Sequence, residues 1–237
     1  LEKYDFKWED RENLPQSWSE GPYHGNGTLG SLVYFKKNEK GFPTVHLELG
    51  NNCVYDRRES RSFWMAKQFD NPRLPIGSLE YECGGEILDF WMRTSLYHAS
   101  TELYIRTEKE LLHCIFYVCA TKQMIVIDQK EGRLFRWRFI PAQAISPRQT
   151  FGIEHGEKER IDPDYRENPD PEIYTDPEGI YCIQELDSNF KTVTVCRYEK
   201  TQGNIYVRIQ QDKELSINQV KENLNQDLAT DFKREHL

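Results

Sequence analysis

The sequence predicts an all-β protein, a large antiparallel two-sheet sandwich that closes with one C-terminal helix. Three observations carry that expectation. Short runs of β-branched and aromatic residues, many alternating apolar with polar, recur at roughly 8–14-residue intervals with Gly, Pro, Asn and Asp between them, which is the rhythm of antiparallel strands and tight turns. Aromatic residues make up 13% of the chain, with five Trp, thirteen Tyr and twelve Phe, and such side chains suit a pleated surface with one wet face. One stretch, 216–237, spaces Ile217, Val220, Leu224, Leu228 and Phe232 by three and four, the signature of an amphipathic helix. A chain of 237 residues can bury roughly 70–75% of its unfolded surface, enough for a sizeable core.

The elements follow in order. Residues 1–16 mix charges with Trp8 and end at Leu14-Pro15, so they read as an edge strand or an arm. Residues 29–35 are short, apolar and stopped by Lys36-Lys37-Asn38, hence a strand. A turn at 38–42 leads into the alternating 44–49, completing a hairpin. After Leu74-Pro75-Ile76-Gly77, residues 78–83 alternate and Gly84-Gly85 turns the chain. Strands are then expected at 86–94, 97–107, 111–120, 123–129 and 134–141, the last with Trp137 and Phe139 on one face and Arg136 and Arg138 on the other. Residues 152–179 carry four prolines (163, 169, 171, 177) and many acids, so they read as a long surface loop. Residues 180–186, 192–200 and 204–211 resume the strands, and Ser216 stands as N-cap of the final helix. The organisation expected is a sandwich over 1–215 and a helix over 216–237 that leads to a further domain.

Composition removes several function classes. A net charge of −8, with basic residues scattered and densest only at Arg57-Arg58 and Arg136–Arg138, argues against nucleic acid. No window holds enough apolar residues to span a membrane. The six cysteines (Cys53, Cys83, Cys114, Cys119, Cys182, Cys196) show neither C-x-x-C nor metal-ligand spacing and are expected mostly as free thiols. Asp162 and Asp164 have the start of a calcium-loop spacing, but Pro163 lies between them, so a solvated loop is the better reading. No metal or cofactor is expected. H-E-x-x-H and G-x-S-x-G are absent, and no pair among thirty-nine acids can be singled out as catalytic.

The stretch from Trp18 to Phe35 is the most informative. Gly25, Gly27 and Gly30 form G-x-G-x-x-G, yet a pyrophosphate cradle needs a helix after the glycines and here a strand follows. A kinase-type glycine loop would need H-R-D and D-F-G further on, and neither occurs. The glycines around Asn26 therefore read as a tight turn with positive φ. Trp18, Glu20, Tyr23 and His24 ring that turn, and Glu20, His24 and Asn26 are the polar groups expected to be offered to a partner or a sugar. For His24 a buried, hydrogen-bonded role is the alternative. Trp18, Tyr23, Trp64 and Trp91 are able to stack on sugar rings or to pack in the core.

Read as W-x-E-G-x-x-x-G-N-G-x-L-G-x-[LM]-V, this stretch resembles the opening motif of the N-terminal domain of family 95 glycoside hydrolases, the α-L-fucosidase family and its relatives. Trp18, Glu20, Gly21, Gly25, Asn26, Gly27, Leu29, Gly30 and Val33 carry the resemblance. Arg93, Leu96 and Ala99 resemble the family's R-x-x-L-D-L-x-x-A stretch without its acid. Residues 50–58 lack the N-E-D-x-x-W found in many members, while Asp56-Arg57 resembles a subgroup ending in D-x-R. The resemblance implies a non-catalytic N-terminal supersandwich whose partner is a following (α/α)6 catalytic barrel, with oligosaccharide near by and a secreted or periplasmic setting. The family's catalytic residues lie in the barrel, so none transfers to this chain. A free-standing carbohydrate-binding module and a protein-interaction sandwich are the alternatives. The start at Leu1-Glu2-Lys3 and the end inside a helical pattern fit a trimmed product.

Overall fold

Alternation along each strand decides the architecture, because side chains of successive residues point to opposite faces. The computed structural model describes residues 2–58, 72–146, 150, 154–156 and 165–233. In chain order the strands are β1 (Phe6–Trp8), β2 (Tyr23–Gly25), β3 (Leu29–Lys37), β4 (Pro43–Asn51), β5 (Gly77–Glu82), β6 (Ile87–Ser95) and β7 (Ser100–Thr107). They continue as β8 (Leu111–Val118), β9 (Ile125–Glu131), β10 (Trp137–Pro141), β11 (Glu172–Asp176), β12 (Gly179–Glu185), β13 (Lys191–Glu199) and β14 (Asn204–Asp212). A nine-stranded sheet has the order β1-β6-β7-β8-β9-β14-β13-β12-β11, and a five-stranded sheet the order β10-β5-β4-β3-β2. The two antiparallel sheets form an all-β sandwich, as the periodicities predict.

The core lies between the sheets. Val45, Leu47, Leu79 and Tyr81 of the smaller sheet meet Met92, Leu103, Ile105, Leu112, Phe116 and Ile127 of the larger, all essentially without exposure. Trp137 of β10 sits at the centre, edge-on to Tyr81 at 5.4 Å and to Phe116 at 6.1 Å. Its Nε1 donates to Gln129 Oε1 at 2.9 Å, so one side chain ties the two sheets by packing and by a buried hydrogen bond.

The helix α1 (Ile217–Leu228) covers part of the larger sheet's outer face. Ser216 accepts from Gln219 N while the Gln219 side chain accepts from Ser216 N, a capping box that fixes the first turn. Val220 and Leu224 are fully buried against a cluster that includes Tyr117, Val126, Val193, Val195 and Tyr206. Lys221 Nζ lies 3.0 Å from Asp176 Oδ2 and 3.9 Å above the Tyr181 ring, and Arg208 pairs with Asp227. Phe232 packs edge-on against Tyr206 at 5.8 Å. The helix is thus a docked cover of the sheet.

Three expectations change, the first being the helix expected over 216–237, which ends at Leu228 with Ala229 as its C-cap. The stretch 152–179 is not all loop, because Glu172–Asp176 forms β11, the last strand of the larger sheet. All five of its residues are exposed, so an edge strand paired on one side with β12 carries no alternation to read. At 134–141 the chain takes a 3-10 turn over Leu134–Arg136 before β10 begins. Asp162, Asp164 and Trp64 fall outside the described residues.

Strand registers give the sandwich two unlike ends. At one end the connections are short: 38–42, 83–86, 108–110, 132–136, 177–178 and 200–203. The connections 52–76 and 142–171 both leave and rejoin the sheets at the other end, where the glycine turn 26–28 lies. Long connections grouped at one end of a rigid sandwich are where function is carried in such folds.

The cysteines are all free thiols; Cys53 is exposed and the other five are buried. Burial pushes the thiols of Cys83 and Cys182 up to about 12. A thiol reagent should therefore modify one cysteine rapidly in the native chain and all six after denaturation. Rapid reaction of two or more native thiols would count against this packing.

Candidate functional site

The glycine turn joins β2 to β3 through the pairs Tyr23↔Leu32, His24↔Ser31 and Gly25↔Gly30. Gly27 takes φ +88°, the left-handed conformation that a side chain would strain. A strand, β3, follows the turn, so no helix N-terminus faces it and the phosphate-cradle geometry is not built.

Asn26 spends its whole side chain inside the protein. Its Oδ1 accepts from Thr28 N at 3.0 Å and Leu29 N at 2.9 Å. Its Nδ2 donates to Cys119 O at 2.9 Å and Lys122 O at 3.2 Å, in the β8–β9 turn of the opposite sheet. His24, 6% exposed, also points inward. Its Nδ1 lies 3.3 Å from Ser31 Oγ and its Nε2 2.7 Å from Thr101 Oγ1. Thr101 in turn bonds Thr94 at 2.7 Å, both on the larger sheet. Neighbouring amides seal the same end, with Asn51 Nδ2 donating to Ile209 O at 3.0 Å and Asn52 N to Thr28 O at 2.8 Å.

The structure therefore brings His24 and Asn26 together but turns them toward the space between the sheets. Glu20 is the one of the three candidate polar residues on the surface, its Oε2 accepting from Gln16 N at 2.7 Å. The motif's outward groups are Trp18, 69% exposed, Tyr23, 78% exposed, and Glu20. Trp18 and Glu20 belong to the segment between Pro15 and Pro22, whose carbonyls accept from Phe35 N and Val33 N, so they lie along β3 several residues from Gly25, Gly27 and Gly30.

Next to this turn, Asp56 is buried and bound by Arg58 through Nε at 2.8 Å and Nη2 at 2.5 Å. The Arg58 guanidinium lies 4.3 Å above the Tyr165 ring, and Arg57 lies 4.8 Å above Phe190. Asp56 and Arg58 thus anchor the start of the 52–76 connection. On the outer face of the smaller sheet, Tyr34 donates to Glu48 at 3.1 Å and His46 bonds Glu80 at 2.9 Å. Burial lowers the His46 pKa below its ordinary value, which favours the neutral imidazole there.

A second cluster was legible only in part. Trp91 on β6, Tyr104 on β7 and His113 on β8 meet on the outer face of the larger sheet, with ring centroids 5.8 to 6.2 Å apart. Trp91 alone is conspicuous in the sequence; the register that sets Tyr104 opposite both Trp91 and His113 is not. Alternation around Phe90, Met92, Leu103 and Leu112 was the available signal, since it sends their neighbours outward.

Among the described residues there is no group of three or more His, Cys, Asp or Glu arranged to hold a metal ion, and no helix long and apolar enough to cross a membrane. Compared with known proteins, the chain matches no family model and no curated protein significantly.

Proposed function

We propose that this chain is the non-catalytic N-terminal β-sandwich domain of a glycoside hydrolase similar to family 95. In this reading it supports an (α/α)6 catalytic barrel and lends Trp18, Glu20 and Tyr23 to the rim of a sugar site. The observation that carries it is the position of the motif. The glycine turn of the motif lies at the end where both long connections leave the sheets, and Trp18, Glu20 and Tyr23 are exposed on the segment that runs alongside β3 into that turn. Rings beside a carboxylate suit a pyranose, which offers an apolar C–H face and a rim of hydroxyls. This reading also has the protein working outside the cytoplasm, secreted or periplasmic, as part of a fucosidase-like enzyme.

The test uses a longer polypeptide that carries this chain ahead of a barrel. Trp18→Ala and Glu20→Gln should each lower kcat/KM for an aryl α-L-fucoside by about tenfold, a loss of about 1.4 kcal/mol of transition-state stabilisation. The melting temperature of the 237-residue chain should meanwhile stay nearly constant, because both side chains are exposed. Unchanged turnover in both variants would remove this end of the sandwich from the sugar site.

A further inference from the structure

We propose that the uncovered part of the larger sheet's outer face binds a neutral saccharide, with Trp91 and Tyr104 as the stacking platform and Glu102 and His113 as partners for its hydroxyls. This site is separate from the glycine-turn end and does not depend on a barrel following the chain.

The outer face of the larger sheet differs along its width. Where α1 lies, Tyr117, Val126, Val193, Val195 and Tyr206 of the outward face are buried by Val220, Leu224 and Phe232, and the polar Arg208 is matched by Asp227 of the helix. Two to four strands from the β14–β13 pair beneath the helix, Trp91, Tyr104 and His113 occupy the same outward face and stay partly exposed, with no described element over them. The Trp91 and Tyr104 rings are nearly parallel, 4° apart at 5.8 Å, and the His113 ring stands edge-on to both. Cross-strand packing alone accounts for the contacts among the rings. They do not call for the polar groups arranged around them.

Those polar groups select the ligand class. His113 Nε2 lies 2.7 Å from Glu102 Oε1, which orients the imidazole and leaves Nδ1 for a ligand hydroxyl. The Glu102 side chain is 40% exposed and sits beside the rings as an acceptor. The other charges sum to no net positive charge: Arg93 binds Asp5 at 2.6 Å and 2.9 Å, Arg106 lies 3.7 Å from Asp89, and Lys7, opposite Arg93 on β1, is offset by Glu102. No surplus positive charge is left to attract an anion, so sulfated and uronate sugars are disfavoured. An aliphatic protein helix would set apolar atoms against Glu102 and His113 and leave them desolvated. A neutral pyranose satisfies both requirements, stacking its C–H face on the rings while its hydroxyls meet the carboxylate and the imidazole.

Affinity electrophoresis through gels containing xyloglucan, galactomannan, arabinan or sodium polygalacturonate tests this with the chain as it is. Retardation by at least one of the three neutral polysaccharides is expected, weakened at least fivefold by Trp91→Ala and by Glu102→Gln. Glu102→Gln leaves the rings in place, so it keeps the test valid if Trp91→Ala fails to fold. The proposal is overturned if no neutral polysaccharide retards the chain, if only polygalacturonate does, or if retardation survives Glu102→Gln undiminished. None of these outcomes bears on the glycine-turn end, which is tested by turnover.

Discussion

Replacing Trp137 by alanine should lower the stability of the domain by about 4–8 kcal/mol. Removing a buried Trp costs roughly 3–5 kcal/mol in lost transfer energy and residual cavity. Here the indole is 1% exposed and packs between Tyr81 and Phe116, one from each sheet, so its removal leaves a void across the seam of the sandwich. A further cost of about 1–3 kcal/mol comes from Gln129 Oε1, which loses its donor while buried. In a chain of this size that corresponds to a fall in melting temperature of roughly 10–25 °C. Urea or thermal unfolding reads it directly. A loss below about 2 kcal/mol would mean that the two sheets are not held together through this residue.

Asn26→Ala should be the most damaging change in the glycine turn, costing about 2–4 kcal/mol. A turn that needed only its backbone conformation would accept Asp or Gly at this position with little loss. The geometry here sets a stricter requirement. Two donors and two acceptors on one amide span the β2–β3 turn and the β8–β9 turn of the other sheet, and each net hydrogen bond contributes about 0.5–1.5 kcal/mol. Asn26→Asp keeps the acceptors for Thr28 and Leu29 but places a carboxylate against the carbonyls of Cys119 and Lys122. It should therefore be no better than Asn26→Ala. A near-neutral Asn26→Asp, measured by urea denaturation, would show that the latch between the sheets contributes little.

The same residue shows what could and could not be read before the fold was known. Gly25-Asn26-Gly27 announces a turn because glycine admits positive φ and Asn bonds its own backbone, and both are local properties. The partners of the Asn26 amide, Cys119 and Lys122, lie far along the chain and are set by the packing of one sheet on the other. His24 follows the same logic, since nothing near it in sequence signals Thr101. The strands were legible wherever one face is buried, as at 44–49 and 78–83, because burial writes alternation into the residues. The edge strand Glu172–Asp176 was missed for the converse reason, both of its faces being wet. The helix was legible from Ser216 to Leu228, since its capping pair and its apolar spacing are both local, but the spacing carried the expectation past its end because Phe232 packs on the same face. The Trp91–Tyr104–His113 cluster needed the register of three strands, which no single stretch contains.

The central claim is that this sandwich supports sugar chemistry without carrying out hydrolysis itself. It is tested most directly by incubating the purified 237-residue chain with aryl α-L-fucosides and aryl galactosides, beside a longer polypeptide in which a barrel follows. The account predicts release of the aryl group by the longer polypeptide and none above background by the chain alone. Turnover by the isolated chain, abolished by replacing one of its own acids, would contradict it.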